Sequence, residues 1–390
     1  MIRIQGAANP ARIEEMLTEL VGSKDDNLQI PVKPHDWWLG GEQSLIELVI
    51  TWARISSSPT LHTHIAADEK PAVQLKRLAQ RIFGFVALMM ADEIRDREAS
   101  RTPSTGELRS LRTSAYQQCR EVVEMMYQPI DKFALGSKVF LISVDHSTKA
   151  AIPWMYAPNG SVADRPAFVT LAKDLFKRTN LRVSAGQPLL QSSHKIGAVL
   201  HELFKNTHEW ALTDASNVPW RRSVRGLAAE FHTKEFADLQ GIANDNPALA
   251  RYFNALHPRS PGNRLAFLEL TVFDSGIGLA RRWLNTPSLE ELPLPDEFKA
   301  CMQCLTKHRT TSNRRDRGLG LAEVMQVLSS MEGFLKIRTG RLSLYRDFVH
   351  SPLRAVPDDV GLGDFPSCTA TLTNLAAVYG THFQMLIPIP

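Results

Sequence analysis

The sequence predicts an α/β protein, because strand-like and helix-like patterns follow one another along its whole length. In the first part, a helical pattern over "EQSLIELVITWARI" lies between short apolar strands near residues 28–32 and 60–65. In the second part, a helix over about 189–212 precedes the alternating strand "LAFLELTVF", which runs into a glycine turn and a further helix. The change of pattern between the two parts predicts two domains.

The chain has 390 residues, which is enough for two or three domains. Apolar spacing predicts a long helix from about Pro71 to Asp96 and another over about 107–127, which together can form a helical hairpin. The turn formers in "YAPNGSVADRPAF" indicate a linker. We therefore expect an N-terminal α/β domain over 1–160, a linker or entry helix over 161–184, and a second domain over 185–390.

Composition restricts the class of protein. The formal net charge is only +4, so nucleic acid is not indicated as a partner. Four cysteines give no disulfide framework, and the N-terminus lacks the apolar core of a secretory signal. The longest apolar run, "IFGFVALMM", is far shorter than the roughly 20 residues of a membrane span. We expect a cytoplasmic protein without a membrane partner.

The first motif is "LHELFKNTHEWA", Leu200 to Ala211. On a helix, Glu202, Asn206 and Glu209 are spaced i, i+4 and i+7 and therefore share one face. The amide oxygen of Asn206 can ligate Mg²⁺, which uses few protein ligands together with waters and substrate phosphates. Glu202 can orient or deprotonate a water nearby. A solvated helix face is the simpler alternative when this motif is considered alone.

The second motif is "LTVFDSGIGLARR", in which Asp274 follows the strand and the glycines at 276 and 278 follow Asp274. Glycines permit backbone conformations and close approaches that a Cβ forbids. The spacing is neither G-x-G-x-x-G nor a Walker loop. A carboxylate before two glycines suits a planar base, because the carboxylate can accept a hydrogen bond from the exocyclic amine of the base. The alternative is a tight turn without a ligand.

The third motif is "TTSNRRDRGLGLAEVMQVL", Thr310 to Leu328. Gly318 and Gly320 open a helix whose first-turn amides can hold a phosphate. Arg314, Arg315 and Arg317 precede this helix and can meet an anion. A loop with a solvated basic run is the alternative.

The order and spacing of the three motifs resemble the GHKL ATPase superfamily, which contains gyrase-type topoisomerases, the ninety-kilodalton heat-shock chaperone, histidine kinases and MutL. The closing stretch "GTHFQMLIPIP" is similar to the last Gly-Thr-x-Phe strand of this Bergerat fold. The resemblance covers residues 185–390. It implies an α+β sandwich, in which a mixed β-sheet has helices on one face and ATP lies beneath a mobile lid.

The resemblance also implies a role for each matching residue. Glu202 corresponds to the water-activating glutamate and Asn206 to the ligand of Mg²⁺, while Asp274 corresponds to the aspartate that contacts adenine. The complete set of residues expected to bind ATP is Asn206, Glu209, Asp274, Gly276, Gly278, Arg315, Gly318, Leu319, Gly320 and Thr381. The implied cofactors are therefore ATP and Mg²⁺.

The chain departs from the family pattern in two places. The segment between the first two motifs, residues 212–264, is longer than the corresponding segment of a typical histidine kinase. We expect a partner-binding insertion there. Residues 285–317 correspond to the lid. We expect no counterpart to the family's lysine from a following domain, so that a lid cation such as Lys307, Arg309 or Arg315 would meet the terminal phosphate.

Three functions stay open at this point. The first is Mg²⁺-dependent ATP hydrolysis that changes shape or partner, with a protein partner or a second copy bound through the N-terminal half or the insertion. The second is a kinase, acting on histidine or, like an anti-sigma factor, on serine or threonine. The predicted hairpin over 71–127 contains no histidine as phosphoacceptor. The third is an ATP-gated switch that does not hydrolyse its nucleotide.

Overall fold

The computed structural model describes the chain except for residues 5–8, 31–39, 64–69, 97–104, 134–137, 146–151, 179–188, 244–245, 261, 306–319, 354–360 and 390. The chain divides into two compact units. The N-terminal unit comprises Met1–Gln128 and Leu375–Gly380. The C-terminal unit comprises Pro129–Asn374 and Thr381–Pro390. The predicted α/β fold class is confirmed, since both units combine helices with a β-sheet.

The N-terminal unit is built on four parallel strands in the order β1-β2-β3-β4. Helices connect successive strands, as parallel pairing requires. The predicted helix over "EQSLIELVITWARI" is confirmed as the second helix. The elements are β1 (Ile2–Arg3), α1 (Pro10–Ser23), β2 (Asn27–Gln29), α2 (Gly41–Ile55), β3 (Thr60–Thr63), α3 (Pro71–Ala79), α4 (Ile82–Met90), β4 (Glu93–Asp96) and α5 (Thr105–Met126).

The predicted helix from Pro71 to Asp96 is wrong, because the segment forms two helices and a strand. The backbone N–H of Gln80 closes the end of α3 on Lys76 O, and a new helix begins at Ile82. Residues 93–96 then pair with β3 as the edge of the sheet. A two-helix hairpin is therefore replaced by α3, α4 and β4, with α5 packed against all three.

The C-terminal unit contains a seven-stranded sheet in the order β10-β9-β8-β11-β7-β6-β5. The resemblance implies a mixed sheet; the pairs β5–β6, β6–β7, β7–β11, β8–β9 and β9–β10 are antiparallel. The strands are β5 (Lys138–Val144), β6 (Val224–Glu235), β7 (Arg264–Asp274), β8 (Phe334–Gly340), β9 (Leu342–Asp347), β10 (Gly363–Asp364) and β11 (Val378–Ile389), of which residues 378–380 are counted with the N-terminal unit.

The helices of this unit include α8 (Ser193–Trp210), which packs against β6 and β7 and also against α7 (Arg165–Arg178) and α13 (Gly320–Ser330). A long buried stripe on α8 faces these neighbours, as its apolar spacing predicts. The helices are α6 (Ile130–Phe133), α7 (Arg165–Arg178), α8 (Ser193–Trp210), α9 (Phe236–Ile242), α10 (Pro247–Leu256), α11 (Leu279–Leu284), α12 (Leu294–Leu305) and α13 (Gly320–Ser330). Among the described residues of the chain, no helix has both the length and the apolar content needed to cross a membrane.

The expected domain limits need correction. Strand β5 pairs with β6 over its whole length, so residues 138–144 belong to the second domain and not to a domain over 1–160. The expected linker or entry helix over 161–184 contains the helix α7, which packs on α8 inside the C-terminal unit and so belongs to the second domain. Residues 212–264, expected to be a partner-binding insertion, include β6, which is hydrogen-bonded to a strand on each side. The expected lid over 285–317 contains α12, and its remaining part from residue 306 lies outside the described residues.

A buried polar cluster crosses three neighbouring strands of the larger sheet. His232 Nε2 on β6 lies 2.7 Å from Glu269 Oε2 on β7, and Gln384 Nε2 on β11 donates to Glu269 Oε1 at 2.7 Å. All three side chains are buried. Burial alone would raise the pKa of the Glu269 carboxyl, but the hydrogen bonds and charge of His232 lower the pKa below its ordinary value of 4.5. Glu269 is therefore ionised at neutral pH.

We expect Glu269→Ala to lower the free energy of unfolding by about 3 kcal/mol at pH 7, because His232 and Gln384 lose a buried charged partner. Since the folded pKa is the lower one, the stabilisation is present above the unfolded value of 4.5 and is lost as pH falls through the folded value. Urea unfolding at pH 7 and at acidic pH measures both effects. Exposed Glu290, changed to alanine, is the control. A loss below about 1 kcal/mol would contradict the role of the cluster.

Candidate functional site

Helix α8 carries the three candidate site residues of the first motif. Its buried face holds the helix against the sheet through Ile196, Val199, Leu200, Leu203, Phe204 and Thr207. Glu202, Asn206 and Glu209 are each partly exposed on the same helix. Asn206 Nδ2 donates to the main-chain oxygen of Glu202 at 2.9 Å, which fixes the amide one turn beyond the carboxylate. The predicted alignment of Glu202 and Asn206 is confirmed.

The Glu202 carboxylate is held at one of its two oxygens. Arg165 Nη2 donates to Oε1 at 2.9 Å, and His201 Nδ1 lies 3.0 Å from the same oxygen. The side chain of Glu202 is 15% exposed. Burial alone raises its pKa, but the hydrogen bonds from His201 and Arg165, with the charge of Lys205, lower the pKa to about 2. The carboxylate is therefore charged throughout the neutral range.

Arg165 also binds Glu323 in the first turn of α13. Its Nη1 and Nη2 donate to the two oxygens of Glu323 at 2.8 and 2.7 Å, which is the bidentate geometry that guanidinium and carboxylate favour. These hydrogen bonds raise the pKa of Arg165. One side chain from α7 thus connects α8 with the beginning of α13.

Gly320, the first residue of α13, lies directly against the other oxygen of Glu202. A Cβ at this position would collide with Glu202 Oε2 and would lie 3.2 Å from Glu202 Cδ. The structure therefore brings the first and third motifs together at this carboxylate. Arg315, Gly318 and Leu319 lie outside the described residues.

The second and fourth motifs meet at Asp274, the last residue of β7. Asp274 is buried, and its Oδ1 accepts hydrogen bonds from the main-chain N of Gly276 at 2.8 Å and of Thr381 at 3.3 Å. A Cβ at Gly276 would lie 2.8 Å from the Cα of Ala211, which follows α8. Gly278 has a φ of 87°, in the left-handed region that favours glycine, and leads into α11. The turn therefore needs both glycines.

Helix α8 connects the two halves of this site. Ala211, against the Asp274 turn, is nine residues from Glu202, a separation of about 14 Å along the helix axis. A buried carboxylate and two glycines thus lie near one end, and a charged carboxylate with a glycine-initiated helix lies near the other. This length suits an extended ligand with one planar and one anionic end.

Two arginines of the site were missed by the sequence analysis. Arg282 on α11 donates to the main-chain oxygens of Thr213 at 2.6 Å and Asp214 at 3.3 Å, which fixes the segment that follows α8. Burial lowers the pKa of Arg282, and the negative charges of Asp274 and Asp214, which raise the pKa, only partly offset this effect. Arg165 falls in the stretch expected to be a linker or entry helix, and Asp164 and Pro166 around it are the signature of a helix start. Asp164 Oδ1 accepts from Ala167 N at 3.0 Å, as a helix cap does.

The described residues contain no group of three or more histidine, cysteine, aspartate or glutamate side chains that could hold a metal ion. The oxygens near Asn206 and Glu202 are hard donors, which Mg²⁺ prefers, and Mg²⁺ completes its shell with water and phosphate. The residues present therefore fit a magnesium ion that arrives with a phosphate ligand.

Comparison with known proteins gives no relative for this chain: no family model, no curated protein and no solved structure matches it.

Proposed function

We propose that this protein binds ATP with Mg²⁺ and hydrolyses it to ADP and phosphate, as the GHKL superfamily does. The observation that carries this proposal is the joining of the predicted motifs by α8. Gly320 lies against Glu202 at one end, and Gly276 lies against Ala211 at the other. The motifs belong to distant parts of the sequence, and their meeting along one helix supports a common ligand.

Each end of the site suits one part of the nucleotide. The buried carboxylate of Asp274 accepts a hydrogen bond from the exocyclic amine of adenine, while Gly276 and Gly278 allow the base to approach the main chain. Asn206 supplies an oxygen to Mg²⁺, which neutralises phosphate charge when bound. Glu209 lies further along α8 and contributes a polar contact. The amides at the start of α13 face the phosphates.

Glu202 orients and deprotonates the attacking water. Its Oε1 is held by Arg165, so Oε2 at Gly320 is the oxygen placed toward the start of α13. A carboxylate that is already charged can accept a proton without prior ionisation. A low pKa also makes it a weak base, and the ion pair with Arg165 must loosen for full activity.

The hold of Arg165 on Glu202 favours a second candidate function, a nucleotide-gated switch that closes on ATP without hydrolysis. In both cases the purpose that we propose for the cycle is a change of protein partner or of self-association. We also propose a cytoplasmic location, where ATP is available, and the free thiol state of all four cysteines fits a reducing compartment.

The experiment that tests the proposal follows ATP labelled on its terminal phosphate. Released phosphate and ADP, dependent on Mg²⁺, support hydrolysis. Label on the protein or on an added partner identifies a kinase instead. Bound ATP without release or transfer identifies the switch, and absence of binding contradicts all three functions.

We expect Gly320→Ala to lower ADP release about 10²-fold, because its Cβ displaces the Glu202 carboxylate by about 1 Å. Gly241→Ala is a matched control, since a Cβ at Gly241 meets nothing within 4 Å. Steady-state ADP release by the two variants, each checked by thermal unfolding, measures the difference. Equal rates in both would contradict the placement of Glu202 against α13.

A further inference from the structure

Arg165 contacts two carboxylates, Glu202 on α8 and Glu323 in the first turn of α13. Its guanidinium forms two hydrogen bonds with Glu323 and one with Glu202, all between 2.7 and 2.9 Å. The Arg165 side chain is nevertheless 43% exposed, so it can turn toward a ligand. Its position is set by α7, which packs along α8.

The position of Arg165 is at the phosphate end of the proposed site. A glutamate that directs water at the terminal phosphate must lie within about 3 Å of that water. Arg165 donates a hydrogen bond directly to Glu202, and Glu323 lies in the first turn of the helix that begins at Gly320. The guanidinium therefore lies nearer to the terminal phosphate than to the base.

The charges around Arg165 favour a change of its hydrogen-bond partner when a phosphate binds. In the present arrangement one guanidinium faces two carboxylates, and among the described residues Lys205 and His201 are further charged or titratable neighbours of Glu202. A terminal phosphate adds further negative charge beside Glu202 and Glu323. Arginine binds phosphate with the same two-pronged geometry as carboxylate, so it can pass from Glu323 to the phosphate.

We propose that Arg165 binds the terminal phosphate of ATP and thereby distinguishes ATP from ADP. This inference rests on the proposed binding of ATP and adds a residue that the motifs do not contain. It assigns to α7 the role that the sequence analysis gave to a cation of the lid. Loss of the terminal phosphate returns Arg165 to Glu202 and Glu323.

The test is equilibrium binding of Mg-ATP and Mg-ADP to wild type, Arg165→Ala, Arg165→Lys and Glu323→Gln. A hydrogen bond to a charged group is worth about 1.5–3 kcal/mol, so Arg165→Ala should weaken ATP binding about 10- to 100-fold. ADP binding should change less than about threefold, within the scatter of surface substitutions. Arg165→Lys should restore part of the ATP affinity, because it keeps the charge without the fork.

Glu323→Gln separates this role from a structural one. It removes a competing carboxylate but keeps the arginine, so ATP binding should tighten while ADP binding does not change. Lys173→Ala, an exposed cation on the same helix, is the control for general charge. Equal loss of ATP and ADP affinity in Arg165→Ala would overturn the inference but would not contradict the proposed binding of ATP by the wild type. Absence of ATP and ADP binding to wild type would overturn the proposed function and the inference together.

Discussion

Glu202→Gln is expected to bind ATP at least as tightly as wild type, since it removes a carboxylate that competes for Arg165, and to release ADP about 10²- to 10⁴-fold more slowly. Glutamine has nearly the same size and can still accept the hydrogen bond that Arg165 donates to Oε1. It cannot take a proton from water, and general-base assistance contributes rate factors of this size. Mg²⁺-dependent ADP release and direct nucleotide binding are measured on the same preparation.

The matched control for this variant is Glu332→Gln, since Glu332 is 49% exposed and pairs with Arg259 away from Glu202. It should keep both binding and turnover. If Glu202→Gln hydrolyses ATP within about threefold of the wild-type rate, Glu202 is not the general base. If wild type itself binds ATP and releases no ADP, the switch replaces the ATPase.

Asp274→Asn is expected to weaken ATP binding about 10²-fold without unfolding the protein. Asparagine keeps an Oδ1 that accepts from Gly276 N and Thr381 N, so the turn is preserved. The second oxygen becomes an NH₂ group, which would face the donating amine of adenine. Unpaired donors at a buried contact, with the loss of a charge-assisted hydrogen bond, account for an effect of this size.

Inosine triphosphate turns this prediction into a test of base recognition, because its base has a carbonyl oxygen in place of the amine. Wild type should prefer ATP by about 10²-fold, and Asp274→Asn should bind the two nucleotides about equally. Asp238→Asn, an exposed change on α9, should keep the wild-type preference. No preference for ATP in wild type would contradict the role of Asp274.

Local periodicity was sufficient to predict the elements that carry the motifs. The helix expected over 189–212 is α8, and the strand that ends before Asp274 is β7. Both have regular apolar spacing over ten residues or more, where sequence patterns are strongest. The contact between Glu202 and Asn206 also followed from their spacing on one helix.

Partners that are distant in sequence could not be predicted in the same way. Val139 pairs with Ala229 in the sheet, and nothing in the pattern of β5 specifies that partner. His232 on β6 is a polar residue at a buried position, which interrupts the apolar alternation. It is stabilised there by the hydrogen bond between its Nε2 and Glu269 Oε2 on the neighbouring strand β7. Arg165 contacts Glu202 across 37 residues of sequence, and no motif indicates this contact.

The most direct test of the central claim is calorimetric titration of the wild-type chain with ATP, with and without Mg²⁺. The joining of Asp274, Glu202 and Gly320 along α8 predicts one ATP bound per chain, tighter with Mg²⁺ and in preference to inosine triphosphate. A folded chain that binds no ATP at millimolar concentration would contradict the account, and the residues at the two ends of α8 would then be features of packing alone.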